Sequence, residues 1–103
     1  MSEIEADARE ADLLRVRGEL SFASVPALLE QGRVLLAGRS GRLRLDLSGV
    51  TRADSAGLAL LIEWLRIARR QRTEVEYRHV PPQLLAIARV GGVEALLPLG
   101  DGA

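Results

Sequence analysis

Segments with the periodicity of β-strands alternate along this chain with segments that have the periodicity of α-helices. Apolar side chains recur at alternate positions in residues 14–20, 43–47 and 74–80, which is the spacing of half-buried strands. Between and after these segments, apolar residues recur every three or four positions, as in amphipathic helices. Strands that follow one another and are joined by helices lie parallel in a sheet. The pattern therefore predicts an α/β fold.

A fourth strand is predicted ahead of these three. Residues 2–7 alternate around Ile4 and Ala6, and a turn near residues 9–10 leads into the next strand, so we expect an edge strand there. Gly18 interrupts the second strand and predicts a bulge or bend. Residues 48–51 follow the strand at 43–47 and are interpreted as a loop. Together these segments predict a small mixed sheet.

Three helices are predicted around the strands. Ser24 followed by Pro26 is typical of an N-cap with proline in the first turn, so a first helix is expected to run to Ala37. The second helix is expected over residues 55–71, and the third follows Pro81-Pro82 and closes at Gly91-Gly92. The first helix is expected to bury three leucines: Leu28, Leu35 and Leu36.

The second helix carries two apolar stripes. The first is expected to cover the sheet, and the second lies on another face of the helix. This second stripe allows two interpretations: a neighbouring helix covers it, or a partner protein does, since Trp is enriched at binding hot spots. The first stripe consists of Leu58, Leu61, Ile62, Leu65 and Ala68, and the second of Leu60, Trp64 and Ile67.

The composition excludes several classes of function. The 103 residues carry 14 basic and 14 acidic side chains, so the net charge is zero, whereas nucleic-acid-binding domains usually carry a basic excess. The chain has no Cys and one His, which excludes disulfides and Cys-ligated zinc and leaves little support for a catalytic triad. We therefore predict a non-catalytic protein that uses no metal and no cofactor and has no nucleic-acid partner.

The length and the distribution of apolar residues predict one cytoplasmic domain over residues 1–103. A typical domain has roughly 100–200 residues, and no linker divides this chain. Residues 1–12 contain five acidic side chains and one Arg, which is the opposite of a signal peptide. No apolar run approaches the roughly 20 residues that a membrane-spanning helix needs.

The residues around the start of the second helix carry a family pattern. A strand ends in Asp-Leu-Ser at 46–48, a loop follows, and Asp-Ser-Ala-Gly at 54–57 opens the helix. The run from Leu45 to Leu61 resembles the signature of STAS domains, which are shared by sulfate transporters and anti-sigma-factor antagonists. Gly-Glu-Leu at 18–20 is similar to the end of the second strand in that family. The resemblance implies a STAS-domain fold: a four-stranded mixed sheet with helices packed mainly on one face.

Two groups of STAS proteins occur as free-standing domains, and the motif distinguishes them. In anti-sigma-factor antagonists a kinase phosphorylates the Ser directly before the Gly of the motif; here that position is Ala56, which has no hydroxyl. In the MlaB-type subunit of the ABC transporter that moves phospholipids between the membranes of Gram-negative bacteria, the preceding Ser or Thr faces the ATPase subunit. Ser55 has that position, and residues 96–98 also resemble this group.

The resemblance therefore implies an accessory subunit that binds and supports the ATPase subunit of such a transporter. The complex would also contain permease and substrate-binding subunits, and the protein would lie at the inner membrane through its partner. The alternative is an anti-sigma-factor antagonist in a partner-switching pathway. The predicted partner-binding residues are Asp54, Ser55, Ala56, Gly57, Leu60 and Trp64.

Each of these residues also has a purely structural interpretation. Asp54 or Ser55 can cap the helix, because both side chains accept hydrogen bonds from free N–H groups of the first turn. Gly57 is less favourable than Ala in a helix by about 1 kcal/mol, which indicates a close approach by a partner or by a loop of the same chain.

Overall fold

The computed structural model of the protein describes residues 2–39 and 41–100. Residues 1, 40 and 101–103 lie outside the described part, and so do the two ends of the domain predicted over residues 1–103. The described residues form four strands, three α-helices and one 3₁₀ turn. In chain order they are β1 (Glu3–Ala6), β2 (Leu13–Leu20), α1 (Val25–Leu36), β3 (Gly41–Ala53), α2 (Ser55–Arg70), β4 (Thr73–Arg78), α3 (Pro82–Val90) and the 3₁₀ turn Glu94–Leu96.

These strands form one mixed sheet in the order β1-β2-β3-β4. β1 runs antiparallel to β2, with Ile4 opposite Val16. β2, β3 and β4 are parallel, which requires the crossover helices α1 and α2 between them. Gly18 has a φ of 91°, and the register between β2 and β3 shifts directly after it. The predicted edge strand, the irregularity at Gly18 and the four-stranded mixed sheet are confirmed.

The helices pack mainly on one face of the sheet, as predicted. Inward-pointing side chains of the strands are buried beneath them, because alternate residues of a strand face opposite sides. The buried residues of the three parallel strands include Leu14, Val16, Leu20, Leu43, Leu45, Leu47, Val75 and Tyr77.

The opposite face of the sheet is polar and open to water. Arg15 on β2 forms ion pairs with Asp7 at 3.2 Å and with Asp46 at 3.1 Å. Arg44 on β3 pairs with Asp12 at 3.1 Å. Exposed pairs of this kind contribute roughly 0–1 kcal/mol each, so this face keeps the sheet solvated rather than adding a second core.

The segment predicted as a loop at residues 48–51 is instead part of β3, which continues to Ala53. Its residues pair with the second half of β2, Gly49 opposite Arg17 and Val50 opposite Gly18. A Cβ at Gly49 would lie 2.9 Å from the Cβ of Arg17, so glycine allows the two strands to lie close together. The prediction was wrong because this part of the strand depends on pairing with a distant segment, and its own residues do not alternate.

Two details of α1 also differ from the prediction. Ser24 precedes the helix, but its hydroxyl does not cap it: Oγ donates to the carbonyl of Glu19 at 2.6 Å and accepts from the N–H of Ser21 at 2.9 Å. The hydroxyl therefore braces the loop between β2 and α1. Leu28 and Leu36 are buried as expected, whereas Leu35 is half-buried.

The two edge strands of the sheet, β4 and β1, differ in their hydrogen-bond partners. At the β4 edge, the N–H of Tyr77 donates to the carbonyl of Pro98 at 2.8 Å, and the N–H of Gly100 donates to the carbonyl of Tyr77 at 2.9 Å. At the other edge, β1 pairs with no strand except β2 within the described chain. None of the described helices is both long and apolar enough to cross a bilayer.

Candidate partner-binding site

The side chain of Asp54 joins the start of α2 to the loop that follows β2. Its Oδ1 accepts hydrogen bonds from the N–H groups of Ala56 at 2.9 Å and Gly57 at 3.3 Å. Its Oδ2 accepts a hydrogen bond from the N–H of Phe22 at 3.2 Å, and its own N–H donates to the carbonyl of Leu20 at 3.1 Å. Asp54 is therefore the N-cap of α2, and it also fixes the neighbouring loop.

Gly57 lies against the end of β2. A Cβ at this position would lie 2.6 Å from the carbonyl oxygen of Leu20 and 2.8 Å from the Cβ of Leu20. Gly57 is buried, and a larger side chain would push α2 away from the strand. The close approach that the sequence indicated is thus made by the chain itself, and Gly57 offers no exposed surface to a partner.

Ser55 and Ala56 form the outer side of the first turn of α2. Ser55 is exposed and Ala56 is half-buried. Since Asp54 supplies the helix cap, the hydroxyl of Ser55 is not needed for it, and this hydroxyl forms no hydrogen bond with the rest of the described chain. It can bind a polar group of a partner without giving up an internal bond.

Phe22 is a site residue that the sequence reasoning missed. Its side chain is 85% exposed, although Phe is usually buried. Its backbone is held to Asp54, which places it beside the first turn of α2. Large aromatic side chains on a fixed backbone are typical anchors of protein interfaces. The available signal was that this Phe, the only one in the chain, lies outside every amphipathic pattern.

We call Phe22, Asp54, Ser55, Ala56 and Ala59 the Phe22–Ser55 surface; Ala59 is exposed one turn after Ser55 on the same side of α2. It combines an aromatic ring, methyl groups and one hydroxyl. Its single carboxylate already caps the helix, so it has no general acid–base pair. The described residues also contain no cluster of three or more side chains that could hold a metal ion. The exposed aromatic ring, methyl groups and hydroxyl of this surface suit contact with another protein.

Charged side chains border this surface on one side. Arg52 is 80% exposed and lies 3.8 Å from Glu19, and both line a shallow depression of about 190 Å³ next to Asp54. Gln83 of α3 closes the depression, and its Oε1 accepts a hydrogen bond from the N–H of Ala53 at 3.3 Å. An apolar centre with a polar rim is the usual anatomy of a protein interface.

Leu60 and Trp64 do not belong to this surface, which contradicts their prediction as contacts. Leu60 is 1% exposed and Trp64 is 0% exposed. α1 covers them: a Cβ at Gly32 would lie 2.6 Å from Cε2 of Trp64. The second apolar stripe of α2 is therefore core, and the interpretation that a neighbouring helix covers it is confirmed. The indole Nε1 has no hydrogen-bond acceptor among the described residues.

The family model described as Mlab, STAS domain, matches residues 5–98, which include β2–β4, the three helices and the Phe22–Ser55 surface. The chain belongs to the STAS domain family. STAS domains mediate protein–protein interactions, in agreement with the chemistry of the Phe22–Ser55 surface. No curated protein is significantly similar to this STAS domain in sequence.

Solved structures share the fold. The anti-sigma factor antagonist SpoIIAA in its unphosphorylated form is 15% identical, with a TM-score of 0.68, over 100% of this STAS domain and 90% of that chain. An anti-sigma factor antagonist from Mycobacterium paratuberculosis is 24% identical, with a TM-score of 0.70, over 95% and 86%. A sulfate transporter family protein from Wolinella succinogenes is 16% identical, with a TM-score of 0.69, over 88% and 76%. At these identities the likeness shows the fold alone.

Proposed function

We propose that this STAS domain is a non-catalytic accessory subunit that binds and supports the ATPase subunit of an ABC transporter. The transporter moves phospholipids between the inner and outer membranes, and its complex also contains permease and substrate-binding subunits. In this role, residues 1–103 act as one cytoplasmic domain that is held at the inner membrane by its partner.

One observation carries the proposal: the outer side of the first turn of α2 is a contact surface without the usual phosphate acceptor. Ala56 stands where the antagonists have the phosphorylated Ser, and its N–H is bound by Asp54 at 2.9 Å. A methyl group at this position allows close contact but no change of charge. This favours a partner that stays bound over one that is exchanged by phosphorylation. The description of the matching family as Mlab also supports this choice.

The rigidity of the surface suits a permanent contact. Asp54 binds the backbone of the β2–α1 loop and of α2 together, so Phe22 and Ser55 are held relative to each other before a partner arrives. A preorganised surface loses less entropy on binding, which strengthens the contact. Phe22 would supply apolar area, and Ser55 would supply one hydrogen bond.

The test is a binding titration between the purified STAS domain and the ATPase subunit of a phospholipid-transporting ABC complex from the same organism. We expect saturable binding that Phe22→Ala weakens strongly. Val90→Ala is the control, because Val90 is 92% exposed and lies at the opposite end of α3 from Gln83, which borders the surface. Absence of binding, or equal losses for both variants, would contradict the proposal.

The alternative function is that of an anti-sigma-factor antagonist. The observation that favours it is the exposed hydroxyl of Ser55, directly next to the usual acceptor position. Incubation with a cognate kinase and ATP, followed by mass spectrometry, separates the two functions. A phosphate on Ser55 that releases a bound partner would favour the antagonist, whereas an unmodified chain that stays bound to the ATPase subunit favours the transporter.

A further inference from the structure

The outer edge of β1 leaves backbone hydrogen-bonding groups without a strand partner. The N–H of Asp7 donates to the carbonyl of Leu13 at 2.9 Å. In the antiparallel register of β1 and β2, the odd-numbered residues of this segment therefore direct their backbone N–H and C=O groups toward β2. Even-numbered residues therefore direct their N–H and C=O groups away from the sheet. The N–H of Ile4 donates instead to Oε1 of Gln31 on α1 at 3.3 Å, so a side-chain amide stands where the carbonyl of a further strand would be.

An apolar groove runs beside this edge, between β1 and α1. It has a volume of about 610 Å³ and is open to solvent. Three of its lining residues are apolar and exposed, namely Ala6, Ala27 and Val34, and Val34 is 66% exposed. None of the residues that line it belongs to the Phe22–Ser55 surface.

We propose that β1 and this groove bind an extended segment of a partner protein as a fifth strand of the sheet. Strand addition to a free edge takes its affinity from backbone hydrogen bonds and its specificity from pockets for alternate side chains. The added strand would place every second side chain over Ala27 and Val34. The side chains between them would lie on the polar face, next to Glu3 and Glu5.

The negative charge of the groove indicates which kind of segment it binds. Its lining within the described chain contains two carboxylates, those of Glu5 and Glu30, and no cation. The ion pairs of these carboxylates are long: Glu5 lies 3.7 Å from Arg17, and Glu30 lies 3.5 Å from Arg33. All four side chains are exposed, so these pairs are weak and the carboxylates can also bind a cation of a partner. The fitting segment therefore alternates apolar and basic residues.

A second copy of this chain does not fit the groove. Pairing β1 with β1 of another copy would place Glu3 and Glu5 of one chain beside the same residues of the other. Like charges on neighbouring strands destabilise a sheet. The occupant is therefore a different protein, and this inference is independent of the ATPase contact proposed above.

The test uses a fluorescent capped peptide of alternating valine and lysine as the probe, titrated into the purified chain. A peptide of alternating valine and glutamate of equal length is the comparison. We expect saturable binding of the lysine peptide and binding of the glutamate peptide that is weaker by about tenfold or more. In amide exchange, the N–H group of Ala6 should become protected when the lysine peptide binds.

Two variants and one control variant locate the binding site. Val34→Lys should weaken binding of the lysine peptide by about tenfold or more, because it adds a cation and removes apolar surface from the groove. Val90→Lys introduces the same change at an exposed position on α3 and should leave binding unchanged. Ala6→Pro removes one outward N–H while sparing the bonds to β2, and should also weaken binding.

Several results would overturn the inference. They are no saturable binding, equal binding of both peptides, or an unchanged affinity in the Val34→Lys variant. Concentration-dependent dimerisation of the free chain that Val34→Lys abolishes would show that a second copy occupies the groove instead.

Discussion

A fully buried side-chain hydrogen bond joins β4 to α2 in the helix layer above the sheet. Tyr77 on β4 is fully buried, and its hydroxyl donates to the carbonyl of Leu61 in α2 at 2.6 Å. Burial raises the pKa of Tyr77 well above its usual value of 10.0, because the phenolate would lose its hydration. The folded chain therefore favours the neutral phenol. The stabilisation of the fold by the neutral phenol is fully present below pH 10, the usual pKa of Tyr, and is lost as the pH rises through the higher pKa of the folded state.

Replacing Tyr77 with Phe tests this bond. Tyr77→Phe should lower the free energy of unfolding by about 1 kcal/mol at neutral pH, since one hydrogen bond is lost. The difference from the unchanged chain should shrink in alkaline solution, where ionisation of the unfolded Tyr already weakens the fold. Urea unfolding at several pH values measures both effects. Tyr77 is the only Tyr, so tyrosinate absorbance that appears near pH 10 in the still folded chain would contradict the argument.

Asp46 on the polar face should make stability depend on pH in the acid range. Burial raises the pKa of Asp46, but hydrogen bonds from Ser48 and the contact with His79 lower it by more. The pKa of Asp46 therefore lies below its usual value of 3.8. A lowered pKa stabilises the fold above about pH 4, and this contribution is lost as the pH falls through the folded-state value. The ionised carboxylate is thus the form that the fold prefers.

The substitution Asp46→Asn should lower the free energy of unfolding by about 1 kcal/mol at neutral pH. The difference from the unchanged chain should shrink as the pH falls below about 4, because the carboxyl becomes protonated. Urea unfolding at several pH values over this range gives the dependence of the free energy of unfolding on pH. Glu74→Gln, at an exposed position of β4, is the matched control and should change stability little. A loss for Asp46→Asn that is the same at all pH values would contradict the prediction.

At the scale of single residues, the sequence predicted what local chemistry decides. Asp54 is the cap that its type and position indicated, and Ser55 is exposed as a first-turn residue should be. The exposure of Phe22 was missed although this residue lies outside every amphipathic pattern. The burial of Trp64 could not be predicted, because it depends on where α1 lies against α2. That arrangement is fixed by contacts between segments distant in the chain.

The packing of α1 against α2 depends on the absence of a side chain at Gly32. A Cβ there would lie 2.6 Å from Cε2 of Trp64, well inside van der Waals contact. Gly32→Ala should therefore lower the free energy of unfolding by roughly 1–3 kcal/mol, although Ala is the better helix former. Thermal and urea unfolding measure this loss.

Gly91→Ala provides the matched control for that substitution. Gly91 has a φ of −78° at the end of α3, and an added Cβ would meet its nearest neighbour at 3.5 Å, an ordinary contact. This variant should be unchanged or stabilised by about 0.4–1 kcal/mol, because Ala has less freedom in the unfolded chain. Equal effects of the two substitutions would show that helix propensity, and not the indole, determines the result.

At the scale of elements, periodicity predicted the three helices and the cores of the four strands. It did not predict that β3 continues to Ala53, since residues 49–53 are extended only because β2 pairs with them. Ser24 was mispredicted for another reason: its hydroxyl donates to the carbonyl of Glu19, five residues earlier, and this local hydrogen bond takes the place of the helix cap. Periodic patterns report local preferences, whereas strand pairing is long-range.

At the scale of the whole molecule, the surfaces differ in what they can bind. The open face of the sheet is a solvated network of ion pairs around Arg15 and Arg44. The Phe22–Ser55 surface is small, apolar at its centre and fixed by Asp54. Because Asp54 preorganises this surface, substitutions at Phe22 or Ser55 should change binding of the proposed ATPase subunit without changing the fold.

A series at Ser55 tests this separation of binding from folding. Ser55→Ala should weaken binding of the ATPase subunit by the value of one hydrogen bond, about 0.5–1.5 kcal/mol. Ser55→Thr keeps the hydroxyl and should have a mild effect. Ser55→Glu should weaken binding by about tenfold or more, because it places a larger, charged group on a closely fitting surface.

The thermal stability of each variant decides how these losses are interpreted. Glu in the first turn of a helix interacts favourably with the helix dipole, so Ser55→Glu should melt at or above the temperature of the unchanged chain. Ser55→Ala should also stay folded, since Asp54 supplies the cap. Weaker binding at unchanged or higher stability assigns Ser55 to the contact. Full binding by Ser55→Glu would place the ATPase subunit elsewhere on the molecule, and unfolding of Ser55→Ala would make the hydroxyl part of the fold.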